Sequence, residues 1–326
     1  MFAEAIEQIL KRECTPAAVR AMEAGGSPKA LWTAIADAGF LEILTPEADG
    51  GAGLPLNEFY PVLTTLGRYA MPLPLAQSIA ARALMTGSEA PAGMLTLAPA
   101  LRRSAAGIIC PFVPCGRLAD YVLAEDGDDL LLLPGAGATR VASGVRASLV
   151  ATLTWPVNQV GQRLPGRAGT LAAFGAALHA AQLAGAMQKA FDMTLQYAND
   201  RRQFGKSIGK FQAIQHQISE MAEHVVAASI AAEAAFQAND LMPARLPSAI
   251  AKSRASEAVV PVASIAHAVH GAIGVTEEYD LQLFTRRMHE WRFAHGSESC
   301  WNEVIGRAVL ASDLPAISDF VRMASS

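Results

Sequence analysis

The residues best equipped for chemistry lie in the stretch RRQFGKSIGKFQAIQHQ, positions 201–217. It sets Arg201, Arg202, Phe204, Gly205 and Gly209 ahead of a run with apolar residues at helical spacing. Arginine supplies a fork of donors and a helix N-terminus supplies unpaired N–H groups, so the pattern suits an anion such as a pyrophosphate. A polar helical hairpin with an ordinary cap would look the same on these residues alone. The four cysteines, Cys14, Cys110, Cys115 and Cys300, show no C-x-x-C pairing, so the sequence suggests neither a zinc site nor a disulfide framework.

Such residues need a large scaffold, and 326 residues with 52% hydrophobic content supply one. Only 17% of residues are charged, against roughly 25% in typical soluble domains, so extensive burial is expected, part of it between subunits. A formal net charge of -4 gives no basic field, which argues against nucleic acid as a partner. The opening MFAEAIEQILKRE carries acids within its apolar stretch and reads as an amphipathic helix, not an export signal, so a cytoplasmic location is expected. The Ala-rich stretches near 171–187 and 255–275 are interrupted by His179, Gln182, Glu257, His267 and His270, and read as buried helices with no membrane insertion.

Texture divides the chain into three parts: a helical domain over 1–95, a short β domain over 96–165 and a helical bundle over 166–326. In the first, LWTAIADAGFLEIL reads as one amphipathic helix, followed by a turn through TPEADGGAGLPLNEF. In the second, ADYVLAE, LLLLP and SLVATLTW read as strands. In the third, Leu171, Phe174, Leu178, Met187, Phe191 and Leu195 predict one buried helix face, and Phe211, Ile214, Ile218, Met221 and Val225 another. A third helix from about Arg245 carries Pro261, where a bend is expected, and a fourth begins at TEEYDLQLFTRRMHEW. Trp32, Trp155, Trp291 and Trp301 read as core or interface residues, and Arg286 and Arg287 as salt-bridge or helix-end residues.

Three stretches, LWTAIADAGFLEILTPEADGGAGLPL, YANDRRQFGKSIGKFQAIQHQISEMA and AHAVHGAIGVTEEYDLQLFTRRM, resemble the acyl-CoA dehydrogenase family, and the resemblance runs through nearly the whole chain. It implies a mainly α fold with a small β domain and a four-helix bundle. It also implies FAD bound between subunits and oxidation of an acyl-CoA thioester to the 2,3-enoyl-CoA. By the family pattern R-x-Q-F-G, Arg201 would reach the FAD phosphates and Phe204 would pack near the adenine of a cofactor lodged mainly in a neighbouring subunit. Gln203, Ile208, Phe211 and Gln212 would line the same cofactor. The family pattern Q-x-H-G-G-x-G falls on Ala268, Val269, His270, Gly271, Ala272, Ile273 and Gly274. Ala272 adds only a methyl to a phosphate-facing loop, whereas Ala268 replaces a Gln whose hydrogen bond is worth about 0.5–1.5 kcal/mol net. His270 reads as a packed, hydrogen-bonded histidine.

The family's catalytic base is a glutamate in E-G-T/S, and counting from Arg286 brings His295, Gly296 and Ser297 to that place. Some family members carry the base on the first bundle helix, and that position falls at Gly175 and Ala176, neither of which takes a proton. Glu298 reads as an exposed first-turn residue favoured by the helix dipole. Three readings of His295 follow: it is the base, since an imidazole titrates near ~6.5; it marks a flavin monooxygenase relative; or the subunit is silent beside a homologous subunit that supplies the glutamate. The last is preferred. The β domain is short and lacks counterparts of T-E-x-x-x-G-S-D and W-I-T-N, IICPFVPCGRLADYV keeping only the A-D. Bacterial α2β2 enzymes acting on CoA thioesters of sterol side chains or other bulky acyl groups share this compactness. The expected partners are an acyl-CoA substrate, an electron-transfer flavoprotein, and a second copy or a homologous subunit. A flavin-free scaffold is the structural alternative.

Overall fold

The computed structural model describes residues 1–326 apart from 86–89, 106, 146, 167–168, 238–241 and 325–326. Five helices open the chain: α1 Phe2–Glu13, α2 Pro16–Glu23, α3 Lys29–Asp37, α4 Leu56–Arg68 and α5 Leu75–Leu84. Each buries an apolar stripe, for example Phe59, Val62, Leu63 and Leu66 on α4. The predicted helix over LWTAIADAGFLEIL is divided. Gly39 takes φ +77 and stops α3, and Phe40–Glu42 continues as a single 3₁₀ turn.

Eight strands follow: β1 Leu95–Leu97, β2 Arg102–Ser104, β3 Gly107–Val113, β4 Tyr121–Asp126, β5 Asp129–Pro134, β6 Thr139–Ala142, β7 Ala151–Trp155 and β8 Gln162–Leu164. They form two sheets of order β1-β4-β5-β8 and β2-β3-β7-β6. Among the described residues only the β1–β4 pair is parallel. Along β4 and β5, Val122, Ala124, Leu131 and Leu133 face the second sheet, where they meet Cys110, Leu153 and Trp155. Their neighbours Leu123, Leu130 and Leu132 face the helices. Burial on both faces explains the unbroken leucine run of β5.

The remaining helices are α6 Thr170–Asp200, α7 Gln212–Ala234, α8 Arg245–His270, α9 Leu281–Phe293, α10 Glu298–Leu310 and α11 Ile317–Ala324, with the short strands β9 Arg202–Gln203 and β10 Lys206–Ser207 between α6 and α7. The 31-residue α6 is the axis of the fold and packs on α4, α7, α8 and α9. Gly67 of α4 and Gly185 of α6 permit their close crossing: a Cβ on Gly185 would lie 2.0 Å from the Thr64 carbonyl oxygen. Leu171, Phe174, Leu178 and Met187 are buried as predicted, but Leu195 is exposed, because in the last turns of α6 the buried face is the one carrying Thr194 and Ala198. The helix α8 continues through Pro261, and α9 begins five residues later than expected, at Leu281, after the turn carrying Tyr279 and Asp280. By length and composition α6 and the segment Arg245–Val275 would cross a membrane, yet 89% of the apolar window of α6 and 50% of the other are buried against protein. Trp155, Trp291 and Trp301 are core residues and Trp32 packs partly buried against the core.

Candidate functional site

At the end of α6 the chain turns back in a hairpin, Lys206 opposite Gln203 and Ser207 opposite Arg202. Its two-residue loop is Phe204 at φ +49 and Gly205 at φ +79. Positive φ at both positions is the I′ turn that matches strand twist; glycine adopts it freely, whereas a phenylalanine there is strained. Phe204 is consequently held out at the tip, 89% exposed. Its ring meets the edge of Phe211 at 6.2 Å, and Lys206 Nζ lies 4.3 Å from the centre of the Phe211 ring. Arg201, Gln203 and Gln212 are exposed and Ile208 and Phe211 half-buried, so five of the predicted cofactor residues share one outward face with Phe204.

The end of α8 joins that face. The Tyr197 carbonyl accepts the Arg201 N–H at 2.8 Å, and the Tyr197 ring stacks on His270 with centroids 4.4 Å apart. His270 is buried, with Nδ1 2.8 Å from the Ala266 carbonyl oxygen and Nε2 without a partner among the described residues. Burial lowers its pKa. Ala268, Gly271 and Ala272 are exposed beside it and Gly274 is buried. Two stretches separated by more than fifty residues are thus brought together. Their exposed guanidinium, aromatic tip and open backbone fit the adenosine and phosphate half of a dinucleotide.

His295 lies elsewhere, in the turn between α9 and α10, with φ +53, followed by Gly296 at φ +96 and by Ser297, the half-buried residue that precedes the first turn of α10. It is 4% exposed and packs on Gly175, where a Cβ would fall 2.3 Å from its Nδ1. The two positions at which the family resemblance places a base are therefore in contact, one occupied by the ring and the other reduced to glycine to admit it. One turn further along α6, His179 lies tilted against His295 at 5.2 Å, with Nδ1 2.7 Å from the Gly175 carbonyl oxygen and Nε2 3.5 Å from Gln77 Nε2. Neither nitrogen of His295 completes a hydrogen bond of good geometry among the described residues.

Desolvation, aided by the nearby charge of Lys252 and only weakly opposed by the Leu97 backbone, pushes the His295 pKa down to about 3. The same burial holds His179 well below the ordinary imidazole range. Both rings are neutral at physiological pH. Clefts of about 1050 Å³, between Arg20, Arg117, His267 and His289, and about 350 Å³, beside Lys11, Cys14 and Tyr69, do not reach His295. Glu298 is not the free first-turn residue expected: Arg292 grips it through Nε at 3.1 Å and through Nη2, so a carboxylate already satisfies the start of α10. Arg286 and Arg287 form the expected ion pairs, both with Glu23, at 3.0 and 2.6 Å.

The hairpin and His295 occupy opposite ends of α6. At 1.5 Å per residue, the 26 steps from Gly175 to Arg201 span about 39 Å, more than one extended flavin dinucleotide covers. The sequence reading missed Lys252, which is wholly buried beneath the His295 turn. Its position on a face with the buried Ala249, Ser256 and Val259 was the available signal.

Residues 1–90 match the family model for the N-terminal domain of acyl-CoA dehydrogenase, and residues 167–310 that for its C-terminal domain. The chain is 31% identical over 301 residues to acyl-CoA dehydrogenase IpdE2 of Mycolicibacterium smegmatis, covering 89% of this chain and 91% of that protein. Its fold is similar to that of a chain in the crystal structure of the ChsE4-ChsE5 complex from Mycobacterium tuberculosis, with a TM-score of 0.84 at 23% identity, covering 96% of this chain and 97% of the other. It is also similar to a variant of the Tcur3481-Tcur3483 steroid ACAD, with a TM-score of 0.81 at 23% identity over 95% and 96% of the two chains.

Proposed function

Because this chain belongs to the acyl-CoA dehydrogenase family of oxidoreductases, we propose that it is the non-catalytic subunit of a two-chain enzyme that desaturates an acyl-CoA thioester to the 2,3-enoyl-CoA. The observation that carries this reading is the packing of His295 on Gly175, which fills one base position with the residue from the other. A group that removes the α proton must reach the substrate, and His295 is sealed in. FAD, when bound, supplies the hydride acceptor for the β carbon. Toward it this chain contributes Arg201 as phosphate donor, Phe204 as an adenine platform, and the open backbone at Gly271 and Ala272.

The homologous partner then supplies the isoalloxazine cradle and the carboxylate base. The name of the steroid ACAD favours a bulky, sterol-derived acyl group as the substrate class. Electrons pass to an electron-transfer flavoprotein, and the assembly is cytoplasmic. In this reading residues 1–95, 96–165 and 166–326 are its three structural units. Coexpression with homologous subunits encoded nearby tests it. A yellow, copurifying complex whose single-turnover flavin reduction survives His295→Ala is the expected result. Loss of about 10²–10⁴-fold in rate would identify His295 as the base instead. A colourless complex would leave a scaffold.

A further inference from the structure

Among the described residues Lys252 has no carboxylate bonded to it, yet it is fully buried. Its Nζ donates to Ser256 Oγ at 2.8 Å, to the Arg292 carbonyl at 2.7 Å and to the Gly296 carbonyl at 2.9 Å. An ammonium has three donors, and all three are used. Two of the acceptors bracket the His295 turn, and the Trp301 indole donates to the third carbonyl of that turn, His295 O, at 2.9 Å. The turn needs such restraint, because His295 and Gly296 are consecutive residues at positive φ and such backbone persists only when its surroundings over-determine it.

We propose that Lys252 is a positioning residue: it latches the His295 turn against Gly175 and so keeps the interior of this subunit closed. The proposal rests on the non-catalytic reading above and supplies its mechanical cause. The groups facing the amine are Ser256 on its own helix, Arg292 on α9, His295 in the turn, Glu298 and Cys300 on α10, and His179 on α6. Burial and the Arg292 charge disfavour the ammonium while Glu298 favours it, leaving the amine with a pKa of about 7. The latch tolerates both states. The neutral amine keeps two N–H donors for the two carbonyls, and the Ser256 hydroxyl turns to donate to its lone pair.

The test follows exposure of His295 in the purified holo-complex by diethyl pyrocarbonate modification and peptide mass spectrometry, with exposed His216 as the internal reference. In the wild type His295 should stay unmodified, at pH 6 and pH 8 alike. In Lys252→Met and Lys252→Ala it should react at least tenfold faster, while His216 is unchanged. Ethylammonium, but not ethanol, should restore protection to Lys252→Ala, and the same amine supports purification if that variant folds poorly. Ser256→Ala, which leaves both carbonyl bonds in place, should stay protected. Unchanged protection of His295 in Lys252→Met, or an equal acceleration at every histidine, overturns the latch. Those outcomes leave the non-catalytic reading standing, since it depends on turnover in His295→Ala and not on exposure.

Discussion

Gly175→Ala probes the packing of the two base positions directly. The added Cβ would lie 2.3 Å from His295 Nδ1, 2.5 Å from Cγ and 2.6 Å from Cε1. Ordinary carbon contacts fall at about 3.5–4.0 Å, so the ring must retreat by roughly 1 Å or more. It has little freedom to do so, because Trp301 and Lys252 hold the carbonyls of its turn. Overpacking of this kind costs about 1–3 kcal/mol, and replacing a glycine inside a helix returns about 0.5–1 kcal/mol. The single variant is therefore expected to lose up to roughly 2 kcal/mol. In a His295→Ala background the same change should be neutral or stabilising by about 0.5–1 kcal/mol. The coupling energy of the cycle is thus about 1–3 kcal/mol, well above the roughly 0.3–0.5 kcal/mol scatter of independent sites. Urea unfolding of all four proteins at one subunit concentration measures it. Additive effects would refute the contact and, with it, the explanation for the missing base.

Phe204→Gly should relieve backbone strain and leave stability unchanged or higher, yet reduce FAD retention by the complex, read as the flavin to protein absorbance ratio after gel filtration. Arg201→Ala should also release flavin, and its retention should depend less steeply on salt than the wild type's, because the variant lacks a charged phosphate contact for salt to screen. The folded-state pKa values of His295 and His179 are depressed, so the unfolded chain binds more protons in acid. Their contribution is fully present above about pH 6.5 and is lost as pH falls below it, through the depressed folded-state values, that of His295 being about 3. Urea midpoints between pH 7.5 and 4.5 should fall more steeply for the wild type than for His295→Gln.

The sequence carried the large elements well, because α6 and the strands β4, β5 and β7 owe their positions to local apolar pattern. It carried the hairpin proposed to grip the cofactor through the motif residues Arg201 to Gly205, of which Gly205 is set by the positive φ of the turn. Three things depended on tertiary contact. Leu195 kept the helical period of its neighbours, but near that end of α6 the buried face is the one carrying Thr194 and Ala198. Glu298 resembled a dipole-favoured surface residue, but the turn between α9 and α10 brings Arg292, six positions earlier in the chain, to within 3.1 Å of its carboxylate. Gly175 and His295, separated by 120 positions, each looked like an isolated loss, and only the fold shows that each is the shape the other requires.

That mutual requirement governs how the chain can change. Gly175→Glu alone would drive a carboxylate into the histidine ring, and His295→Glu alone would bury an acid beside His179 and Lys252 with no opening to a substrate. Neither single step suffices on that geometry: a carboxylate at position 175 also needs a smaller residue in place of His295, and one at position 295 also needs an opening of the turn. On the non-catalytic reading proposed above, the interlock behaves as a ratchet in sequence space, and a chain that carries it depends on a partner for the base.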